Sequence, residues 1–451
     1  MSHLTLPSAA APLLESFSVA FSKPTFSRFL VMLVGAVLAL GRRTVTNIVW
    51  TVRGVAEGDV SSYHRVLSRA KWSLWPLAKI VAARVIALLP KDEPVGVAGD
   101  DTPQQRKGKK VYGKARHRDP IRSTHSHTVW LFGHKWVVLS ILVKLPCCSR
   151  YWALPVLVAL YRDKETNKAE GRRHKTPTDL MRQMLAVLMH WFPQRKFVFC
   201  GDGGFASHEL ARFCHRHRKH ITLVSRFHPK ANLYEAAPPR KTKQKGRPRV
   251  KGKKLPTPQE AVATGTMKKA TVAWYGGQER QVGLISGDGH WYKSGQSLVP
   301  VRWVHVKDLD GTHRDDWLYT TDPSLSADAI VSFFTRRWSI EVTFEEARAH
   351  LGLGTERNRC EQTVLRSTPC LMGLFSVVVL IYAAHLRDHK PTARQTPWYE
   401  KGEPTFADAL GTIRRLLWSS LFLKTPSVER AWKNLPAQLP DAVFDRLCYV
   451  A

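Results

Sequence analysis

Two short apolar runs that each end in acidic residues constrain the fold most strongly. Residues 95–101 read Val-Gly-Val-Ala-Gly-Asp-Asp, and residues 197–202 read Phe-Val-Phe-Cys-Gly-Asp. Apolar runs of this length, bounded by turn residues, are typical of buried strands. The other predicted elements are β-like runs at 128–132 and 136–143, helices starting at Thr178 and His208, and a strand at 221–224. The predicted order is β-β-β-α-β-α-β, which is an α/β fold.

The remaining chain is predicted to flank and interrupt this core. Helical spacing of apolar residues marks the N-terminal part, where a basic helical bundle and a DNA-reading helix-turn-helix both fit the pattern. Aromatic and β-branched runs at 266–321 predict a β-rich insertion. The predicted divisions are an N-terminal helical DNA-binding domain (1–92), the first part of the core (93–232), a basic linker with the β-rich insertion (233–322), the core's last helical part (323–388) and a C-terminal helical region (389–451).

The charge balance predicts a polyanionic partner. The chain has 69 Lys and Arg against 36 Asp and Glu, a net charge of +33, while 44% apolar residues exclude a disordered basic tail. Nucleic acid is the first expectation and an anionic membrane surface the competitor. Residues 370–384 are apolar but contain Gly373 and Ser376, so a core helix and a membrane span both fit. We expect a core helix, double-stranded DNA as the partner and no membrane.

The cysteines and the N-terminal residues bear on the compartment. Seven cysteines in an odd, irregular arrangement predict a reducing environment. No basic residue precedes Lys23, so a positively charged secretory leader is not expected. The predicted location is the bacterial cytoplasm, in association with the nucleoid.

A basic segment within 233–257 is predicted to be an exposed loop. Nine Lys and Arg residues and no acid lie between Arg240 and Lys254, interleaved with Pro and Gly. Residues 245–249, Lys-Gly-Arg-Pro-Arg, resemble the core of an AT-hook, which inserts Arg into the minor groove; a solvated charge run has the same composition. The residues predicted to contact DNA here are Arg240, Lys241, Lys245, Arg247 and Arg249.

The acids at the strand ends, with a third cluster, predict metal-dependent chemistry. Glu341, Glu345 and Glu346 lie on a predicted helix far along the chain from the two runs. Convergent carboxylates in so basic a protein would repel one another unless cations offset them. Mg²⁺ binds through carboxylates and substrate phosphate oxygens, and two ions can activate the attacking oxygen and stabilise the leaving oxygen of a phosphodiester. The pattern therefore indicates cutting or joining of nucleic acid.

The helix that carries Glu341 has two distinct faces. Ile340, Phe344, Ala347 and Leu351 form an apolar stripe that predicts a core contact. A neighbouring face carries Arg337, Glu341, Glu345 and Arg348. From composition alone, an amphipathic helix stabilised by intrahelical ion pairs would be the favoured interpretation.

Here the sequence resembles insertion-sequence DDE transposases with a YREK motif. That motif is Tyr, two residues, Arg, three residues, Glu, six residues and Lys, and this chain has Phe334, Arg337, Glu341 and Arg348 at those spacings. Residues 99–102, Gly-Asp-Asp-Thr, resemble the family's first-Asp motif, and residues 200–207 its second. The blocks span about 95–385 in the family's order.

The resemblance implies an RNase H-like catalytic core with a β-rich insertion. Asp100, Asp202 and Glu341 would be the catalytic residues and would hold two Mg²⁺ or Mn²⁺ ions. The Asp-x-Thr register selects Asp100 as the first ligand, and Asp101 remains the alternative. The implied DNA contacts are Arg337 and Arg348 to phosphates, and Phe334, which lacks the motif's phenolic hydroxyl. Trp303, Trp291 or Trp338 could stack on an extruded base, and a buried aromatic role is the preferred alternative for each.

The resemblance further implies a transposase. The protein would bind the terminal inverted repeats of an insertion sequence, nick the DNA and use the freed 3′-OH to attack target DNA. Two ends must be held together, so a homodimer on DNA is expected. The alternative is a domesticated relative with the same fold that binds DNA without cutting it, because positions 334 and 348 differ from the motif.

Overall fold

The computed structural model describes residues 4–449 except 120–121, 125, 240–245, 247, 396, 423–425 and 437. It is a mixed α/β fold built on one large mixed sheet. The N-terminal part of the described chain is helical. Its helices are α1 (Ala11–Ser16), α2 (Lys23–Leu38), α3 (Val45–Thr51), α4 (Val60–Ser68) and α5 (Leu74–Ile86).

The central part of the chain supplies the middle of the sheet. Its elements are β1 (Val95–Gln105), β2 (Ala115–Arg118), β3 (Trp130–Lys144), β4 (Tyr151–Tyr161), α6 (Lys164–Ala169), α7 (Pro177–Trp191), β5 (Phe197–Gly201), α8 (His208–Arg216) and β6 (Ile221–Arg226). The strand order through this part is β4-β3-β1-β5-β6. Strands β1, β5 and β6 are parallel, whereas β3 runs antiparallel to β1 and β4.

The rest of the chain extends this sheet and then returns to cover it. The elements are β7 (Leu233–Tyr234), α9 (Pro258–Thr264), β8 (Lys268–Ala273), β9 (Glu279–Trp291), β10 (Val299–Asp308), β11 (Asp316–Thr320), α10 (Ala327–Arg336), α11 (Ser339–His350), α12 (Glu361–His385), α13 (Phe406–Phe422), α14 (Pro426–Lys433) and α15 (Gln438–Cys448). Strand β11 pairs antiparallel with β6, so the predicted β-rich segment continues the central sheet. Helix α11 crosses back to contact β1 and β4.

Helix α12 is the long apolar helix of the structure. Among the described helices it alone is long and apolar enough to cross a membrane, and 72% of its apolar window is buried inside the protein. It packs against β4, α5 and α13. Val378 and Val379 are fully buried in a core shared with the N-terminal helices. These contacts are those of a core helix, the alternative that we preferred for this segment.

The strand prediction for 128–143 was wrong in one respect, because β3 runs through Gly133 and His134 without interruption. Gly133 pairs with Gln105 on one edge and with Ala115 on the other. A Cβ atom there would lie 2.0 Å from the carbonyl oxygen of Gln104, so the glycine permits a close approach between strands. Its apparent role as a turn residue came from composition alone.

Strand β4 was not predicted. Its sequence contains Pro155, which cannot donate a hydrogen bond within a sheet. The register between β3 and β4 shifts at this position, with Leu139 opposite Leu157 and Ser140 opposite Pro155. The irregularity accommodates the proline, whose carbonyl accepts a hydrogen bond from the Ser376 hydroxyl on α12.

Candidate active site

Asp100 and Asp202 lie side by side on two neighbouring parallel strands. The apolar run was predicted to end at Asp100, but β1 continues to Gln105, so only Asp202 follows the end of its strand. Gly99 on β1 is the Cα partner of Gly201, the last residue of β5. The two aspartates are the next residues along each strand, and neighbouring strands are about 5 Å apart. Asp202 accepts a hydrogen bond from the Gly204 amide at 2.9 Å, which fixes the turn after β5. The structure therefore brings the first two predicted acids together.

Glu341 is linked to Asp100 by the side chain of Arg337, which pairs with both acids. The two residues are one turn apart at the start of α11, and Arg337 Nη2 lies 2.9 Å from Glu341 Oε1. Arg337 Nη1 lies 3.5 Å from Asp100 Oδ2. The predicted apolar stripe anchors α11, since Ile340, Ala347 and the other two stripe residues are all buried. The guanidinium thus stands between the first and third predicted acids.

Asp101 faces away from this group. Successive side chains of a strand point to opposite faces, so Asp101 lies on the other face from Asp100. It forms an ion pair with Lys135 on β3, with Nζ 2.9 Å from Oδ2. Asp101 therefore has a structural partner, whereas Asp100 points toward Arg337 and Asp202.

The environment of Asp100 opposes its ionisation. Burial, and then the negative charge of Asp202, raise the pKa of Asp100 to about 7, against the attraction of Arg337. The side chain is 17% exposed. Two carboxylates in one partly buried place raise the pKa in this way when too little positive charge offsets them. Perturbed carboxyl pKa values cluster at functional sites.

Arg348 also approaches β1. It donates a hydrogen bond to the hydroxyl of Thr102, which is buried. Thr102 lies two residues after Asp100 and hence on the same face of β1. Arg337, just before α11, and Arg348, on α11, therefore lie along that face of β1, one at Asp100 and one at Thr102. The rest of the Arg348 residue is exposed to solvent.

Trp338 is accessible beside this group, with 46% of its surface exposed. Its ring lies 5.8 Å from that of Tyr275, edge to face. Burial raises the pKa of Tyr275, as do the charges of Asp316 and Glu341, while Arg337 lowers it. Tyr275 is thus a neighbour of the site that motif reasoning missed. It lies in the turn between β8 and β9, far from the motif residues in sequence, so no local pattern could have identified it.

Two predicted DNA contacts are corrected by burial. Phe334 is 2% exposed and packs in a core cluster with residues of β5, β6 and α10, and Trp303 is 4% exposed. Trp303 packs beside Trp317, with the ring centroids 6.3 Å apart. Neither ring presents a face on which a base could stack, so both side chains stabilise the fold.

Only part of the predicted basic loop lies within the described residues. Arg240, Lys241, Lys245 and Arg247 lie outside the described residues. Arg249 is described and exposed. Lys251, further along the same segment, lies 4.0 Å from the ring centroid of Tyr234, which ties the end of the loop to β7.

The fit of the acids to divalent ions is partial. Asp100 and Asp202 offer the carboxylate oxygens that Mg²⁺ and Mn²⁺ prefer, and the raised pKa of Asp100 reports negative charge that a cation would offset. Within the described residues, however, no three His, Cys, Asp or Glu side chains are close enough together to hold a metal ion. Asp100 and Glu341 both pair with Arg337 instead. Asp100 and Asp202 thus supply two of the three predicted carboxylates at one place, and the third, Glu341, is engaged by this arginine.

Comparison with known proteins bears on both the family and the fold. Residues 16–281 match the family of DDE superfamily endonucleases, a range that includes Asp100 and Asp202 and ends before Glu341. No curated protein sequence matches the chain significantly. Among solved structures, a piggyBac transposase synaptic complex with hairpin DNA is similar to 98% of this chain and 81% of that one, at 10% identity and a TM-score of 0.40. Because the family match covers more than half of its residues, the chain belongs to the DDE superfamily endonucleases.

Proposed function

We propose that the protein is an insertion-sequence transposase that cuts DNA at the ends of its element and joins the freed 3′-OH to target DNA. The observation that carries the proposal is the convergence of Asp100 and Asp202 on neighbouring parallel strands, with Glu341 linked to them through Arg337. The strand order β4-β3-β1-β5-β6, with three parallel strands and an antiparallel pair, supports an RNase H-like core. The Phe334, Arg337, Glu341 and Arg348 spacing supports a YREK-like motif.

Asp100, Asp202 and Glu341 are proposed to hold the divalent ions, Mg²⁺ or Mn²⁺. When bound, such ions polarise the phosphodiester and stabilise charge on the attacking and leaving oxygens. The chain's own part is to hold three carboxylates on a rigid sheet. The raised pKa of Asp100 keeps that carboxyl partly protonated near neutral pH until a cation offsets its neighbour's charge.

Arg337 and Arg348 are proposed to bind the phosphates on either side of the cut. The Nε atom of Arg337 is buried, and it finds no hydrogen-bond acceptor among the described residues. A buried donor without a partner is costly, and a phosphate oxygen would satisfy it. Arg348 is exposed and keeps the charge of the motif's Lys, with a fork that can hold phosphate through two bonds. Trp338 is exposed beside them and offers a surface for a base.

The wider assembly is proposed on similar grounds. A net charge of +33 fits double-stranded DNA, at both element ends and target. The N-terminal helices and the basic loop are the proposed contacts with the terminal repeats, and a homodimer would hold two ends together. All seven cysteines are free thiols, which fits the proposed location in the bacterial cytoplasm at the nucleoid.

The second candidate is a relative that binds DNA without cleaving it. The observation that favours it is the Arg337 guanidinium between Asp100 and Glu341, which substitutes for a cation. One assay separates the candidates. Labelled DNA carrying the element's ends is incubated with Mg²⁺ and with wild type, Asp202→Asn or Glu341→Gln protein. Nicking by wild type but by neither variant, with binding retained by all three, supports the transposase. Binding without nicking by all three supports the alternative, and nicking by both variants contradicts the site assignment.

A further inference from the structure

A basic and aromatic surface lies at the tip of the β2–β3 hairpin, apart from the residues assigned above. Trp130 and Phe132 on β3 are 47% and 55% exposed. Arg116 lies over the Trp130 ring, 4.1 Å from its centroid, and Lys114 lies 5.9 Å from that of Phe132. Arg118, opposite Trp130 in the pairing, is exposed as well. These five residues are called the hairpin surface below.

The hairpin surface shares the sheet face of Asp100. Asp100 is directly opposite Val138 on β3, and paired residues point to the same side. Side chains alternate along a strand, so Phe132 and Trp130 lie on the face of Val138. The residues between them are covered, since Trp136 and His134 are each 1% exposed. Along β3 from Val138 toward the hairpin, Phe132 is the first exposed side chain on this face.

The distance from the carboxylates suits a nucleic acid strand. At about 3.3 Å per residue, Phe132 and Trp130 lie roughly 20 and 26 Å from Val138 along β3. At 3.4 Å per nucleotide of one strand, that span is about six to eight nucleotides. Strand β1 extends past Asp100 to Gln105, beyond the end of β5 at Gly201, so the hairpin projects beyond the carboxylate edge.

Protection of the sheet edge does not explain this surface. Lys and Arg on an edge strand discourage pairing with other chains, and β2 is such a strand. An exposed Trp and Phe have the opposite effect, because large apolar side chains in water favour association. The presence of exposed aromatic rings beside cations points to a ligand with both aromatic faces and negative charge.

The charges of the surroundings favour nucleic acid over a protein. From 102 to 134 Asp119 is the single acid, and it is buried and pairs with Arg122. The other charged residues of this range are Lys or Arg, including the exposed Lys107, Lys109 and Lys110. A second copy of the chain would carry the same basic surface, and two such surfaces would repel each other if they met directly.

We propose that the hairpin surface binds unpaired nucleotides next to the DNA that occupies the carboxylate site. Trp130 and Phe132 would stack on two bases, and Lys114, Arg116 and Arg118 would contact their phosphates. The bases of an intact duplex are stacked on one another, so a pair of exposed rings two residues apart fits opened strands. The choice of DNA rests on the proposed function, whereas the preference for single strands rests on the surface itself.

The test compares the affinities of a labelled single-stranded DNA and of the duplex of the same sequence, by fluorescence anisotropy without divalent ions. The variant Trp130→Ala with Phe132→Ala is expected to lose about tenfold or more in affinity for the single strand and less than about threefold for the duplex. Trp398→Ala is the matched control, because Trp398 is 84% exposed and lies between α12 and α13. A second variant, Arg116→Gln with Arg118→Gln, is expected to weaken both affinities and flatten their salt dependence.

The outcomes separate this inference from the proposed function. Unchanged single-strand affinity in the aromatic variant, with an unchanged melting temperature, overturns the inference even if the wild type cleaves DNA. A change in sedimentation instead of DNA affinity would also overturn it, in favour of a protein contact. A selective loss of single-strand binding supports it even if the wild type cleaves nothing, because the assay measures binding alone.

Discussion

Arg337, which lies just before α11, pairs with Asp100 on β1, with Nη1 3.5 Å from Oδ2. The same guanidinium holds Glu341 at 2.9 Å. In the proposed function, Arg337 would have two successive roles. It offsets the charges of the acids in the free protein, and it would donate to phosphate once a divalent ion takes over that task.

Asp100 and Asp101 provide a matched pair for testing which carboxylate acts. Asp100→Asn is expected to reduce Mg²⁺-dependent nicking to background, because Asp100 faces Asp202 and Arg337. Asp101→Asn is expected to retain nicking, since it removes a partly exposed ion pair with Lys135 worth less than about 1 kcal/mol. Nicking of end-labelled DNA and melting temperatures measure both effects. Loss of nicking in a well-folded Asp101→Asn protein would reverse the assignment.

The raised pKa of Asp100 also predicts how the stability of the folded protein depends on pH. Its pKa is about 7 in the folded protein against an ordinary value of 3.8. The folded state therefore holds this proton more tightly, and its contribution is fully present below pH 3.8 and is lost as pH rises through 7. At about 1.4 kcal/mol for each pH unit between the two values, the loss is on the order of 4 kcal/mol.

The Asn variant makes this loss measurable. In buffer without divalent ions, Asp100→Asn is expected to raise the melting temperature at pH 8 and to leave it nearly unchanged at pH 4. Asp101→Asn is expected to show a smaller shift in the same direction, because burial also raises the pKa of Asp101 while Lys135 lowers it. An equal shift at pH 4 and pH 8 would mean that ionisation of Asp100 is not the cause.

Arg337→Gln is expected to move the pH dependence of nicking upward. Removing the cation raises the pKa of Asp100 further, so a higher pH is needed to ionise it, by on the order of one pH unit. Arg336→Gln is the control, because Arg336 lies over Tyr151 and Phe333 instead. The measurement is the midpoint of the rate-against-pH curve. A midpoint that stays in place in Arg337→Gln would show that this guanidinium does not control the ionisation.

Alanine substitutions at Trp338 and Phe334 should distinguish a side chain that contacts DNA from one that packs in the core. Trp338→Ala is expected to weaken DNA binding with little loss of stability, because the ring is 46% exposed. Phe334→Ala is expected to cost about 3–5 kcal/mol of unfolding free energy, since its ring is buried. Anisotropy titrations and denaturant unfolding measure the two quantities. If Trp338→Ala unfolds easily and binds DNA normally, its ring is a packing element.

Gly133 and Gly373 test the close approach inside the sheet. Gly133→Ala places a Cβ atom 2.0 Å from the Gln104 carbonyl oxygen and is expected to destabilise the fold by about 1–3 kcal/mol or more. Gly373→Ala on α12 meets no atom within 4 Å and is expected to stabilise it by about 0.5–1 kcal/mol. Thermal unfolding of both variants is the measurement. Equal stability of the two would mean that β3 does not pass so close to β1.

Local pattern predicted several features of this protein well. The apolar runs before Asp100 and Asp202 form strands, and the stripe from Ile340 to Leu351 is buried. Such features follow from the alternation of side chains along strands and the 3.6-residue period of helices. Strand β4 escaped prediction because Pro155 lies within it, and β3 was divided at Gly133 because glycine marks turns in sequence. Both residues are tolerated only where neighbouring strands fix their surroundings.

The sequence by itself determined the basic charge, the acids that follow two apolar runs and the helix that carries Glu341. The tertiary structure decided which of these groups meet. In the structure, Asp101 pairs with Lys135, the side chains of Phe334 and Trp303 are buried, and Arg337 lies between Asp100 and Glu341. Tyr275 and the hairpin surface appeared only in three dimensions, since Tyr275 meets Trp338 from a distant segment and strand pairing brings the cations of β2 beside the rings of β3. The physical reason is that side-chain type and spacing set local conformation, whereas contacts between elements depend on how the whole sheet pairs and which helices cover it.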